Sequence, residues 1–261
     1  MKVRSSIIPA LIASLTALVL MPQAQAFTII YSHDFSGGTG ALNGTPVDVG
    51  SANWVASDLF RQNGTINPGP GSATLAFTPQ DGNLYSLDAT LTGVTGAGSD
   101  WIALGFANGQ SSGTNTASRF ITGQVIGTSW MLFRGSNNGN FAFRGLGSGT
   151  NGGTTDGQQW VGPLANEGGG DVDLRILLDT TGGPGTWTAT WLAKRPTDAG
   201  YTVVRPATAM LTESMNSVGL AIANPGIAGG IQSFSLSIVP EPSTGLLLAL
   251  AGLGLLGRRR R

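Results

Sequence analysis

Short runs of alternating apolar and polar residues dominate the middle of the chain. Between Val172 and Leu178 every second residue is apolar, and between Trp187 and Ala193 tryptophans and alanines share a face opposite threonines. A period of two with one apolar face is typical of a half-buried antiparallel strand. Comparable runs predict further strands at residues 28–35, 87–91, 101–106, 129–134, 140–144, 218–222 and 234–238.

The spacing of these runs predicts the fold class. The loop 135–139, Gly-Ser-Asn-Asn-Gly, separates two strand runs as in a β-hairpin, and no helical stripe is evident between residues 27 and 238. The 41 glycines of the chain fit many tight turns. We therefore expect an all-β domain at 27–238, a jelly-roll-like antiparallel β-sandwich of roughly ten to twelve strands.

Charge and cysteine content narrow the possible roles. Residues 27–239 hold eight basic and thirteen acidic residues, so their formal net charge is −5 (8 − 13), although the whole chain is neutral. A mildly acidic domain repels phosphate, and nucleic acid is therefore not an expected partner. The chain has no cysteine and one histidine, which disfavours zinc and excludes a disulfide.

The first 26 residues have the three parts of a secretory signal peptide. Lys2 and Arg4 precede an apolar run from Ile7 to Met21, and Ala24-Gln25-Ala26 supplies small residues at the positions that signal peptidase reads. We expect cleavage before Phe27. The alternative is an uncleaved anchor helix, which the shortness of the apolar run disfavours.

The C-terminal segment 239–261 has a second three-part pattern. Pro240-Glu241-Pro242 precedes an apolar run from Thr244 to Gly257, and the chain ends in Arg258, Arg259, Arg260 and Arg261. The run reaches only about 21 Å as a helix, but four terminal arginines cannot be buried in a core and would lie at a membrane interface. We expect a transmembrane helix with a basic stop-transfer cluster.

This tail resembles the PEP-CTERM sorting signal of Gram-negative, exopolysaccharide-making bacteria. The resemblance implies recognition of Pro240, Glu241 and Pro242 by exosortase and loss of the tail near that motif. The protein would be anchored in the inner membrane during sorting and would then reach the cell surface or extracellular matrix. Signal peptidase and exosortase are the partners it implies.

The middle of the chain resembles concanavalin A-like or laminin G-like passenger domains. The likeness lies in scattered patches, among them Asp34-Phe-Ser-Gly37, residues 100–106 and 130–134, and Leu174-Arg-Ile-Leu-Leu-Asp-Thr-Thr181. In that superfamily the sandwich often binds glycans or proteins, sometimes with calcium. The resemblance implies a binding module, with exopolysaccharide as a candidate ligand.

Catalytic residues are scarce in the sequence. Glycoside hydrolysis needs two carboxyl groups about 5–9.5 Å apart. The chain has only three glutamates, which are Glu167, Glu213 and Glu241. Asp171-Val-Asp173 places two carboxylates on one strand face, which we interpret as a solvated outer face. The single histidine, His33, lies near the start of the mature chain, where we expect a structural or surface role rather than a catalytic one.

The sequence offers candidate residues for a ligand or ion site, but no complete motif for either. Five aspartates in or beside turns are candidate calcium ligands, but no calcium-loop spacing joins them. Of the tryptophans, Trp101, Trp130, Trp187 and Trp191 are expected in the core, and Trp160 is the one expected to be exposed and is a candidate for ligand binding. The aspartates are Asp34, Asp48, Asp81, Asp100 and Asp156.

The sequence favours a non-catalytic surface or matrix protein associated with exopolysaccharide and biofilm. Two alternatives stay open: a carbohydrate-active enzyme on the same fold, and a protein-binding adhesin without glycan affinity.

Overall fold

The computed structural model describes residues 27–239, apart from 64–65, 68, 99, 114–119, 122, 146–155 and 223–226. Among these described residues the chain forms sixteen strands and one short 3-10 turn at Pro163–Ala165. The strands are β1 (Thr28–His33), β2 (Thr39–Ala41), β3 (Val55–Ala56), β4 (Arg61–Asn63), β5 (Ile66–Asn67), β6 (Gly71–Ala76), β7 (Leu84–Thr95), β8 (Trp101–Asn108), β9 (Ile126–Arg134), β10 (Phe141–Phe143), β11 (Gln158–Gln159), β12 (Gly170–Asp179), β13 (Thr188–Lys194), β14 (Thr202–Ala209), β15 (Ser217–Ile222) and β16 (Ala228–Val239).

The strands form two antiparallel sheets. The first sheet has the order β14-β13-β12-β7-β16-β5-β4-β2, and β1 also pairs with β16. The second sheet has the order β11-β10-β9-β8-β15-β6-β3. The predicted all-β antiparallel class is therefore confirmed. The strand number exceeds the predicted ten to twelve, because six strands have only two or three residues and are too short to show a clear alternation.

One apolar core lies between the two sheets. From the first sheet β12 contributes Val172, Leu174, Ile176 and Leu178, all buried, as the alternation predicts. The second sheet adds alternate residues of β8 and β15, such as Leu104 and Leu220. Because both inner faces belong to one cluster, the sheets pack face to face as a sandwich.

The outer face of the second sheet carries a separate apolar cluster. Trp130 lies at its centre, stacked on Phe143 at 3.8 Å between ring centroids and met edge-on by Phe120. Phe120 and Val125, from the connection between β8 and β9, cover this face. This covering explains why β8 and β9 are apolar on both faces, which had predicted a central position for residues 101–106.

The connections between strands gather at two ends of the sandwich. We call the end at which β16 finishes, at Val239, the tail end; the connections 77–83, 180–187 and 210–216 lie there because they follow β6, β12 and β14. The opposite end, called the far end, holds the connections 96–100, 135–140 and 195–201. Thr28 pairs with Ile238, so the chain enters and leaves the domain at the tail end.

No helix in the described part of the chain is long and apolar enough to cross a membrane. The predicted signal peptide and C-terminal helix lie outside the described residues.

Candidate functional site

The outer face of the first sheet is polar and carries a compact group of charged residues. Asp88 on β7 lies opposite Arg175 on β12, and Asp173 on β12 lies opposite Lys194 on β13. With Tyr201, which precedes β14, these residues form what we call the charged patch. Their places follow from the strand alternation, because the residues between them on β7 and β12 point into the core.

Arg175 and Asp88 form the first ion pair of the patch. Nε of Arg175 donates to Oδ1 of Asp88 at 2.6 Å, and the hydroxyl of Ser86 donates to the second carboxylate oxygen at 2.7 Å. Both side chains are mostly covered, so the pair is less screened by water than a fully exposed one. The carboxylate is thereby held in one orientation.

Lys194 and Asp173 form the second ion pair. Nζ of Lys194 lies 3.2 Å from Oδ2 of Asp173, whose other oxygen accepts a hydrogen bond from Thr90 Oγ1 at 2.7 Å. Two acidic and two basic side chains thus balance. The patch offers fixed donors and acceptors without a net charge.

Tyr201 supplies an aromatic surface beside the two pairs. The guanidinium carbon of Arg175 lies 4.2 Å from its ring centroid, and Nζ of Lys194 lies 5.2 Å away. Both contacts have cation–π geometry. Burial, reinforced by the charge of Asp88, raises the pKa of the Tyr201 hydroxyl, which therefore stays a proton donor.

This arrangement has the features of a recognition surface. A half-buried aromatic ring offers an apolar surface, while oriented carboxylate, guanidinium and hydroxyl groups offer directional hydrogen bonds. Polyhydroxylated ligands match both features. Sequence reasoning missed the patch, because its members come from four segments that only the strand register brings together.

Trp160, the sequence-predicted ligand residue, is buried, and the expectation of exposure was wrong. It is 2% exposed and its ring stacks on Phe133 with centroids 6.1 Å apart. Trp160 directly follows the exposed strand β11, and its side chain turns into the core. Its backbone N–H donates to the carbonyl oxygen of Asn140. A core ring is not accessible to a ligand.

The four tryptophans predicted to lie in the core are buried, and His33 is buried beside a fifth. Trp101, Trp130, Trp187 and Trp191 are all buried. Trp54, whose place was not predicted, is also buried and donates its indole N–H to Nδ1 of His33.

The carboxylates considered for hydrolysis are engaged elsewhere. Glu213 at the tail end accepts hydrogen bonds from the backbone N–H groups of Gly185 and Trp187. Glu167, on the connection that enters β12 at the far end, lies 3.6 Å from Arg195. Asp171 and Asp173 do lie on the outer face, where Asp171 accepts from the N–H of Gly93.

The five aspartates considered as calcium ligands each have protein partners, and only Asp34 and Asp48 lie side by side. Asp34 bonds Ser36, Asp48 bonds the N–H of Asp34, Asp81 bonds Trp187 and Asp100 bonds the N–H of Ala97. Asp156 pairs with Arg144 and Arg205. No group of three or more acidic or histidine side chains suited to a metal is found in the described part of the chain.

The processing residues lie outside the described residues, except for Phe27. Ala24 and Ala26 precede the described part, and Pro240, Glu241, Pro242 and Arg258 to Arg261 follow it. Phe27 is exposed immediately before β1. The predicted cleavage and sorting sites therefore stay predictions in structural terms.

Comparison with known families identifies the tail. Residues 239–261 match the PEP-CTERM protein-sorting motif, which confirms the resemblance of the C-terminal segment. No curated protein matches the chain.

Comparison with solved structures confirms the lectin-like fold of the sandwich. The chain superposes on the exoplasmic/lumenal domain of VIP36, in its Ca2+/Man-bound form, with a TM-score of 0.50 and 14% identity, over 81% of this chain and 91% of that one. Arcelin-5, a lectin-like defense protein from Phaseolus vulgaris, gives 0.46 at 9% identity, covering 72% and 92%. A GH43 glycoside hydrolase gives 0.44 at 15% identity, covering 84% of this chain but 42% of the enzyme. At these identities the similarity concerns the fold alone.

Proposed function

We propose that this protein is exported, sorted by exosortase through its C-terminal tail, and delivered to the cell surface or extracellular matrix, where its sandwich binds exopolysaccharide without cleaving it. The observation that carries the sorting part is the complete motif at residues 239–261. β16 ends at Val239, the residue at which the matched motif begins.

The charged patch supports the binding part of the proposal. It combines an aromatic ring with four charged side chains that hold one another in place, on an open sheet face. Because the carboxylates and the guanidinium are oriented before a ligand arrives, less ordering entropy is lost on binding. A lectin-like sandwich is compatible with this role.

The absence of cleavage is proposed from the positions of the acidic residues. In the described part of the chain the two glutamates lie in connections at opposite ends of the sandwich, too far apart to act on one glycosidic bond. Asp88 and Asp173 are each engaged in an ion pair with a basic side chain of a neighbouring strand.

The test uses residues 27–239, which contain all the described strands and the core. Binding to the source bacterium's exopolysaccharide is measured by affinity electrophoresis, with calcium and with chelator, and polymer length is followed by size-exclusion chromatography. We expect saturable retardation and unchanged length. Shortened polymer would favour the carbohydrate-active enzyme, and no retardation in either condition would leave the protein-binding adhesin.

A further inference from the structure

Only a short segment separates β16 from the apolar run of the sorting motif. β16 runs to Val239, and only residues 240–243 separate it from the apolar run that starts at Thr244. Five Cα–Cα steps of about 3.3–3.6 Å reach at most about 18 Å. If the run lies in the membrane, as the proposed function requires, the domain is held within that distance of the hydrocarbon.

Beyond its half-buried last two residues, the strand resists fraying that would lengthen this tether. β16 pairs with β7 from Ala228 to Val239 on one side and with β1 on the other. Phe234 and Leu236 point into the core and are buried. Releasing them would lose about 1.5–3 kcal/mol of hydrophobic stabilisation for each side chain. It would also break backbone hydrogen bonds to both neighbouring strands.

Exposed apolar residues lie beside the tether. Phe27 is 55% exposed and Ile29 49% exposed, on the strand that pairs with the end of β16. The three connections 77–83, 180–187 and 210–216 carry Asp81 and Glu213 but neither lysine nor arginine. Contact of Phe27 and Ile29 with a bilayer would be apolar.

From this geometry we propose that the tail end of the sandwich, with Phe27 and Ile29 beside Ile238, rests on the lipid surface of the membrane before the tail is removed. The polar headgroup layer is roughly 5–7 Å thick on each side of the hydrocarbon, so it takes up much of the short tether. The far end then points away from the membrane, and with it the half of β12 that carries Asp173 and Arg175. The charged patch is therefore open to polymer while the protein is still anchored.

Single cysteines test this orientation, because the chain has no cysteine of its own. Thr28→Cys marks the tail end and leaves Phe27 and Ile29 intact, Ala199→Cys marks the far end, and Leu248→Cys marks the apolar run. A sheet as long as β7 places the two ends about 40 Å apart. Each purified precursor, with its whole tail, carries an NBD label and is reconstituted in phosphatidylcholine vesicles.

We expect lipids with a nitroxide headgroup to quench the label at residue 28 several-fold more than at residue 199, and acyl-chain nitroxides to quench residue 248. A linker of about twenty Gly/Ser residues between Val239 and Pro240, with a root-mean-square span of about 25 Å, should remove the quenching at 28 but not at 248.

The outcomes separate the two proposals. No quenching at residue 248 would overturn the membrane anchoring on which this inference rests. Quenching at 248 with equal signals at 28 and 199 would keep the anchoring and overturn the orientation. Persistent quenching at 28 in the long-linker variant would overturn the tether as its cause.

Discussion

Trp54 donates its indole N–H to Nδ1 of His33 at 2.8 Å, and both side chains are buried. The bond requires a neutral imidazole, because a protonated Nδ1 cannot accept. Burial lowers the pKa of His33 below its ordinary value of 6.5, although the charges of Asp48 and Asp34 oppose this shift. His33 and Trp54 thus pack in an aromatic group that also includes Phe35 and Phe234.

Stability should therefore fall as the solution is acidified below pH 6.5. In that range the unfolded chain binds a proton at His33 while the folded one resists, so acid favours unfolding. The stabilisation is complete above 6.5 and is lost progressively down to the lowered folded pKa. Thermal melts at decreasing pH, down to about pH 5 and above the range of most carboxylates, would measure this loss.

His33→Gln is the matched variant for this experiment. Its amide oxygen can accept the Trp54 indole N–H and does not titrate. The variant should melt with little dependence on pH over the same interval. An equal slope in both proteins would contradict the assignment to His33.

Tyr201→Ala should weaken polysaccharide binding about 5- to 30-fold, the equivalent of 1–2 kcal/mol, because aromatic anchors dominate binding energies. Tyr201→Phe should retain most of the affinity, since it keeps the ring over Arg175. Affinity electrophoresis of residues 27–239 would measure both variants.

Two controls separate the charged patch from aromatic residues in general. Phe27→Ala removes an exposed aromatic ring at the tail end, and Trp160→Phe alters the buried ring that the sequence had favoured as a ligand site. Neither should change the affinity of a protein that still folds. Equal weakening by Phe27→Ala and Tyr201→Ala would remove the support for the patch.

Residue patterns predict the long strands of this protein better than its surface site. β12 and β13 are evident from alternation because each has one uninterrupted apolar face. β14 was not predicted, since Arg205 and Pro206 interrupt its apolar residues; as an edge strand it tolerates a proline that donates no hydrogen bond.

Long-range register explains why the site was missed. Asp88 and Arg175 are 87 residues apart in sequence, and their pairing depends on which strands become neighbours. Local composition contains no such information. Trp160 shows the converse error, because a glycine-rich surrounding suggested a loop while the side chain itself turned into the core.

Gly219→Ala should destabilise the second sheet by about 1–3 kcal/mol, as expected for overpacking. Gly219 lies between Thr74 and Gly105 on the neighbouring strands. A methyl group there would overlap the backbone oxygen of Ala73 and lie 2.8 Å from the Cα of Thr74, and backbone atoms in mid-sheet cannot easily move away. Urea unfolding followed by tryptophan fluorescence would measure the change.

Gly37→Ala is the matched control for that substitution. A methyl group at Gly37 meets no atom within 4 Å. The free energy of unfolding should then change by no more than about 0.5 kcal/mol. Similar costs at both positions would point to backbone conformation rather than crowding.

Asp156→Asn should destabilise the domain by about 2–4 kcal/mol, below the full cost of breaking a buried ion pair because Arg144 is partly exposed. Asp156 accepts from Nε of Arg144 at 2.7 Å and lies 3.6 Å from the buried Arg205. Arg205 also donates to the carbonyl of Ala142 and stacks on Trp191, so it cannot leave the core without breaking these contacts. Its charge would then lose its carboxylate partner.

Glu167→Gln distinguishes this effect from the general loss of an ion pair. Its carboxylate also lies 3.6 Å from an arginine, Arg195, but the side chain is 55% exposed. Water screens such a pair, so urea unfolding should show a change of less than about 1 kcal/mol. If both substitutions lower the free energy of unfolding equally, burial does not determine how much Asp156 contributes to stability. The contacts of Arg205 with Ala142 and Trp191 would then keep its side chain in place without the carboxylate.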